Sequence, residues 1–358
     1  MNKNSSIYIA GHTGLVGSAL LRRLEADGYS NLIVRSHSDM DLTSQSDVDA
    51  FFQSEKPEYV FLAAAKVGGI MANYTYPAEF IHTNLTIQNN VIHASWKAGV
   101  IRLLFLGSSC VYPKECPQPM KEEYLLTGPL ESTNEPYAVA KIAGIKMCHA
   151  YNRQYATRYL CVMPTNLFGP NDNFDLETSH VLPALIRKFH LAKLAGKGEW
   201  ESITKDEKKY GIIPEDIKES IGYKTSYSTI LPEPSGAKPS VILWGSGTPK
   251  REFLHVDDIA DACVFLSKLD ENSCRGFFKN NRTPLINIGC GKDQTIKEIA
   301  EITAEVVGYK GDVKWDQDKP DGTPQKLLDI SQIKGLGWKP NITLKDGIDS
   351  VYRWYLKG

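Results

Sequence analysis

The stretch Ile7-Tyr-Ile-Ala-Gly11-His-Thr-Gly14-Leu-Val-Gly17 decides how the rest of the chain is read. Ile7 to Ala10 is a short apolar run of the kind that forms a buried parallel strand. Leu15, Ala19, Leu20 and Leu24 then recur at helical spacing, and Gly28 stands where that helix would stop. Strand, glycine loop and helix in this order make a phosphate cradle. The glycines permit a tight turn, and the helix N-terminus offers unpaired amides to a pyrophosphate. The spacing is Gly-x-x-Gly-x-x-Gly, which makes Gly11, Thr13, Gly14, Leu15, Val16 and Gly17 candidate dinucleotide contacts.

Outward from that loop, strands at Asn31–Arg35, at Tyr59–Ala64 and from Leu103 alternate with helical segments, among them Tyr76–Ala98. Such alternation predicts an α/β fold, a Rossmann-type doubly wound parallel sheet with helices on both faces. The second strand ends in Arg35-Ser36-His37, with no carboxylate until Asp39. An acidic residue there would bond the ribose of NAD, so its absence favours the 2′-phosphate of NADP; an ordinary surface arginine is the alternative. His37, Asp41, Leu42 and Ala64 join the candidate cofactor contacts.

Leu103-Leu-Phe-Leu-Gly107-Ser-Ser-Cys110-Val-Tyr-Pro113 is a buried strand that delivers Ser108, Ser109 and Cys110 at its carboxyl end, where such sheets bind ligands. The alternative is a polar turn in which Cys110 is a small buried hydrophobe. Tyr137 and Lys141 lie one helical turn apart, and an ammonium beside a phenol lowers its pKa and makes it a usable acid or base. An ordinary helix pair would look the same. A further strand, Tyr159–Pro164, leads to Thr165, Asn166 and Leu167. Arg251, just after the Gly245-x-Gly247 turn, can fork onto a diphosphate or pair with a neighbouring carboxylate. Asp257 or Asp258 is expected to cap the helix that follows, so the pair is not read as a metal site.

Composition narrows the class. With 42% hydrophobic and 23% charged residues in 358, an ordinary globular protein is expected, and a net charge of −1 removes the general electrostatic case for nucleic acid. No apolar run is long enough to span a bilayer. The seven cysteines are an odd number without a Cys-x-x-Cys pair, which argues against a disulfide framework or zinc site and fits a reducing cytoplasm.

The glycine loop, Ser108 and Tyr137-x-x-x-Lys141 together resemble the extended short-chain dehydrogenases/reductases that act on nucleotide sugars. Four longer motifs narrow the likeness: Ala63–Ile70, Gly107–Pro113, Asn134–Gly144 and Trp244–Asp258. They resemble the branch that epimerises a GDP-4-keto-6-deoxy sugar at C3 and C5 and reduces it at C4. The resemblance implies NADPH as cofactor, a GDP-linked 4-keto-6-deoxy sugar as substrate and a homodimer, with no metal. It implies catalytic roles for Ser108, Cys110, Tyr137, Lys141 and His180. Further cofactor contacts are implied at Leu106, Gly107, Pro164, Thr165, Asn166, Leu167 and His180. Substrate contacts are implied at Ser109, Cys110, Asn166, Lys188, Trp244, Arg251 and Asp321. The expected domains are 1–170, with 253–290 returning to it, for the cofactor; and a smaller α/β substrate domain from 171–252 and 291–358. The family's compact members lack most of the polar tract 196–240. Within it short helices are expected at Lys205–Lys209 and Pro214–Ile221, because long structureless loops are uncommon. Basic residues usual near the 2′-phosphate are replaced by Thr13 and His37.

Overall fold

The computed structural model describes residues 1–224, 233–234, 238–278, 283–319 and 321–357. Its chain divides into two compact units. The first comprises Met1–Asn171, Glu252–Lys292 and Leu327–Ile342; the second comprises Asp172–Arg251, Asp293–Lys326 and Thr343–Gly358.

In the first unit six parallel strands lie in the order Leu285–Ile288, Tyr159–Pro164, Arg102–Leu106, Tyr59–Leu62, Ile7–Ala10, Leu32–Ile33. Every residue of Ile7–Ala10 and Tyr59–Leu62 is buried, as continuous apolar runs demand when helices cover both faces of a sheet. The second strand is shorter than Asn31–Arg35, since only Leu32 and Ile33 pair with the first. The order of the strands reverses beside Ile7–Ala10, which places the crevice for a ligand at that strand's carboxyl end.

Helix Glu135–Tyr155 packs on helix Pro77–Lys97 and against strand Arg102–Leu106. The approach is close because position 144 is glycine. A Cβ there would stand 2.6 Å from the Phe105 ring and 2.9 Å from Gln88 Oε1. The Gln88 amide in turn donates to the Ala140 carbonyl at 2.6 Å.

Leu327–Ile342, expected in the substrate domain, instead completes the first unit. Leu328, Ile330, Ile333 and Trp338 are buried in its core, and the Met120 amide donates to the Leu327 carbonyl at 2.7 Å. The expected aspartate cap is also corrected. Helix Val256–Lys268 is capped by His255, whose Nδ1 accepts from the Asp257 amide. Asp258 is buried and takes the amides of Asn341 and Ile342, both at 3.0 Å, so it anchors the returning segment.

The second unit holds strand Ser240–Trp244 paired in parallel with Asp312–Asp316, and helices Val181–Gly196, Ile296–Val307 and Leu344–Lys357. The described part of the polar tract carries two helices, Trp200–Tyr210 and Glu215–Ile221, the first longer than expected. Residues 225–232 and 235–237 of the tract lie outside the described residues. Helix Trp200–Tyr210 buries Asp206 against the fully buried Arg187. Removing one partner of such a buried pair generally costs about 3–5 kcal/mol.

Gly144→Ala is expected to destabilise the first unit by about 1–3 kcal/mol through overpacking. An unfolding titration by denaturant checks this. An unchanged midpoint would mean that the two helices and the strand are not close-packed here.

Candidate active site

Most of the cofactor contacts expected from the sequence lie at the carboxyl ends of the first unit's strands. Gly11–Gly17 follows the first strand, Arg35, His37, Asp41 and Leu42 the second, and Ala64 the third. Gly107–Cys110 follows the fourth, and Thr165–Leu167 the fifth. Gly11 has φ +86°, and a Cβ on it would lie 2.8 Å from the Ala64 backbone; one on Gly17 would lie 2.0 Å from the Gly11 carbonyl. Those two glycines therefore close the loop on itself. Gly14 differs: a Cβ there meets nothing nearer than the Gly11 carbonyl at 3.5 Å. Gly14 is the N-cap of helix Leu15–Ala26 and offers no side chain to it, and the first turn carries no acid. An open glycine beside uncapped amides fits a pyrophosphate. The nicotinamide dinucleotide thus suits the residues present, with Gly11–Gly17 as its diphosphate cradle.

The neighbouring contacts are less free than the sequence implies. The Arg35 guanidinium is paired with Glu55, donates to the Val34 carbonyl at 2.8 Å and lies over the Phe51 ring. To meet a 2′-phosphate it must share or leave Glu55. His37 is exposed, with Asp41 4.0 Å away. Just past Ala64 the chain is fixed at Lys66: buried Asn84 accepts from the Lys66 amide at 3.0 Å and donates to the Lys66 carbonyl at 2.9 Å.

Ser108 caps a short turn of 3₁₀ helix, Ser109–Val111, its hydroxyl accepting from the Cys110 amide at 3.4 Å. Cys110 is buried, Ser108 and Ser109 half-buried. Pro136 starts helix Glu135–Tyr155, which presents Tyr137 and Lys141 on one face. Lys141 is buried, donates to the Leu106 carbonyl at 2.7 Å and lies over the Tyr137 ring, 5.7 Å from its centroid. Burial lowers its pKa to about 8, against an opposing pull from Cys110. Tyr137 departs from expectation. Burial raises its pKa instead of the ammonium lowering it, and Cys110 adds to the rise. The phenol is therefore protonated at neutral pH, equipped to give a proton rather than to take one.

Thr165 and Asn166 are oriented by one backbone atom. The Thr165 hydroxyl and the Asn166 amide both donate to the Glu252 carbonyl, at 3.1 and 2.8 Å. The Glu252 side chain is fully buried and takes the amides of Gly291 at 2.6 Å and Leu328 at 3.0 Å. Burial pushes its pKa up while these amides pull it down. The sequence reading missed Glu252. Its only signal is an acid set against the apolar Phe253-Leu254.

In the second unit His180 is the N-cap of helix Val181–Gly196, but its ring makes no cap hydrogen bond and keeps an accessible face. Surrounding protein disfavours the imidazolium and lowers its pKa. Lys188, on the same helix, is lowered by burial and partly restored by Asp216 of helix Glu215–Ile221. The Gly245–Gly247 turn is tied to Asp321, whose carboxylate accepts from the Ser246 amide at 2.9 Å and its hydroxyl at 2.6 Å. Arg251 is partly desolvated and attracted to Asp321, and Trp244 is exposed with Lys319 over its ring. Pro320 of that loop lies outside the described residues. Among the described residues no cluster of His, Cys, Asp and Glu is arranged to hold a metal, and no helix is long and apolar enough to cross a membrane.

A glycine-looped parallel sheet with Ser108, Tyr137 and Lys141 beside its ligand crevice defines a nicotinamide-dependent epimerase or dehydratase. The chain belongs to the NAD dependent epimerase/dehydratase family, which matches residues 7–206 and 229–277. Over 357 residues it is 53% identical to a putative GDP-L-fucose synthase 2 of Arabidopsis thaliana, covering 100% of this chain and 93% of that one. It is 47% identical to a GDP-L-fucose synthase of Escherichia coli K12, covering 98% and 96%. Among solved structures it is similar to MlghC, a GDP-mannoheptose C4 reductase from Campylobacter jejuni with NADP bound. That match has 42% identity, a TM-score of 0.83 and 99% coverage of both chains.

With Lys141 near pH 8, the free enzyme's kcat/KM should fall above about pH 8 as the ammonium is lost. A pH–rate profile checks the limb; a flat profile through pH 9 would mean that the charge of Lys141 is not needed.

Proposed function

We propose that the chain converts a GDP-linked 4-keto-6-deoxy sugar by 3,5-epimerisation and then reduces its C4 ketone, most simply GDP-4-keto-6-deoxymannose to GDP-L-fucose. It is an NADP-dependent enzyme of the GDP-sugar epimerase/reductase class. The observation that carries the two-step reading is the juxtaposition, at one strand end and one helix face, of Ser108 and Cys110 with Tyr137 and Lys141.

A C4 ketone makes the protons at C3 and C5 acidic. Inversion needs one group to remove a proton and another to return one to the opposite face. Cys110 takes the proton, and His180, whose imidazolium is disfavoured by desolvation and so gives up its proton readily, returns one. Ser108 donates to O4 and stabilises the enolate that forms. NADPH, when bound, supplies hydride for the second step. Tyr137, half-buried and kept protonated by desolvation, gives its proton to O4, and the nearby Lys141 ammonium stabilises the phenolate left behind. Gly11–Gly17 holds the diphosphate of the cofactor. Lys188, Trp244, Arg251 and Asp321 of the second unit serve the GDP-sugar.

A GDP-4-keto-6-deoxyheptose is the second reading, favoured by the 42% identity to a mannoheptose C4 reductase and by the helical tract beside the Lys188 helix. Supplying each sugar with NADPH in deuterated water separates the two, because loss of reduced-nicotinamide absorbance reads reduction and deuterium at C3 and C5 reads epimerisation. Reduction without deuterium gain would leave a simple C4 reductase.

Cys110→Ser is expected to lower deuterium wash-in by about 100-fold or more with cofactor binding intact. Unchanged exchange would remove Cys110 from the mechanism. Tyr137→Phe should do the converse, stopping hydride transfer while wash-in continues.

A further inference from the structure

Among the described residues Arg187 is the largest fully buried side chain, and it lies between His180 and Lys188 in the sequence. Its Nε donates to Asp206 Oδ1 at 2.8 Å. Nη1 donates to the Phe174 carbonyl at 3.1 Å and the Tyr210 carbonyl at 2.9 Å, and Nη2 to the Gly211 carbonyl at 2.6 Å. These acceptors come from separate pieces of chain. Phe174 belongs to the Asp172–His180 loop. Asp206, Tyr210 and Gly211 belong to the end of helix Trp200–Tyr210 in the polar tract, where helix carbonyls favour a cation. Asp206 also accepts from the Tyr355 hydroxyl of the C-terminal helix, and the rings of Tyr210 and Tyr355 stack 4.5 Å apart.

The tract is pressed against the same loop a second time. A Cβ on Gly211, at φ +98°, would lie 2.4 Å from Asp175 Oδ2. Asp175 Oδ1 accepts from the amides of Glu177 and Thr178 and from the Thr178 hydroxyl, and the Asp175 carbonyl takes the Ser179 amide at 2.8 Å. The loop that ends in His180 is thus held at Phe174 by Arg187 and at Asp175 by its own turn. A planar guanidinium with fixed donor directions tolerates little displacement of its acceptors.

We propose that Arg187 is a positioning residue that, through Asp206 of the 196–240 tract, fixes the Asp172–His180 loop and so aims the His180 imidazole. The proposal rests on the assignment of His180 to proton return. The tract then acts as a brace on catalysis rather than as decoration.

The test uses the full chain with Asp206→Asn, and with Tyr355→Phe in case the first variant does not fold. Deuterium wash-in at C3 and C5 is measured beside amide hydrogen exchange of residues 172–180 and of the Gly11–Gly17 loop. The expected result is wash-in slowed by about tenfold or more per folded molecule, with faster exchange in 172–180 and no change at Gly11–Gly17. Tyr355→Phe should give the same pattern at smaller amplitude. Wash-in that only tracks the folded fraction, with loop amides unchanged, overturns the proposal and leaves Arg187 a fold-holding residue. If the wild-type chain shows no wash-in, the epimerase reading fails, and the loop amides still decide whether Arg187 and Asp206 hold the loop.

Discussion

The Lys141 ammonium, withdrawn from water and held 2.7 Å from the Leu106 carbonyl, is the contact on which the placing of the Tyr137–Lys141 pair depends. A buried charge is costly unless it has a partner, and here one partner is the last carbonyl of a sheet strand. That atom is reachable only because helix Glu135–Tyr155 lies close on Phe105, and it lies close only because residue 144 has no side chain. Tyr137, one turn earlier, inherits its place from the same packing. The Tyr137 phenol is positioned by this packing and kept protonated by the desolvation that comes with it, so fold and acid strength have a common cause.

A comparable economy orders Thr165 and Asn166 at the end of the fifth strand. One backbone carbonyl, that of Glu252, sets both Thr165 and Asn166, while the side chain of the same residue gathers Gly291 and Leu328 from distant parts of the sequence. In the second unit Asp321 does for the Gly245–Gly247 turn what Glu252 does for the first unit.

What the sequence made legible was local. The glycine loop, the buried strands, the Tyr137–Lys141 turn and the helices after Pro77 and Pro136 announce themselves through spacing alone, and all are present. Features that depend on remote partners were hidden. His255 displaced the expected aspartate cap because Asp258 is engaged by Asn341 and Ile342, more than eighty positions onward. Tyr137 was expected to be acidified by its neighbour, but spacing carries no information on desolvation, and desolvation wins. Arg35 pointed to a phosphate by its position, and a carboxylate on the following helix already holds it. The return of Leu327–Ile342 could not be read from an undistinguished run of Leu, Ile and Trp.

That return bears on how the molecule is made. The chain passes between units after Asn171, Arg251, Lys292, Lys326 and Ile342. On a ribosome the glycine loop therefore emerges long before Leu328, which with Gly291 satisfies Glu252, and before Asn341 and Ile342, which satisfy Asp258. Until then Asp258 lacks both of these amides, Glu252 lacks that of Leu328, and the core that Leu328 and Trp338 complete stands open. Pairings of such sequence separation are slow to close and leave sticky surface exposed in the interval. A nascent chain stalled before residue 327 would hold the cofactor loop without a finished core beneath it, and is a natural client for chaperones.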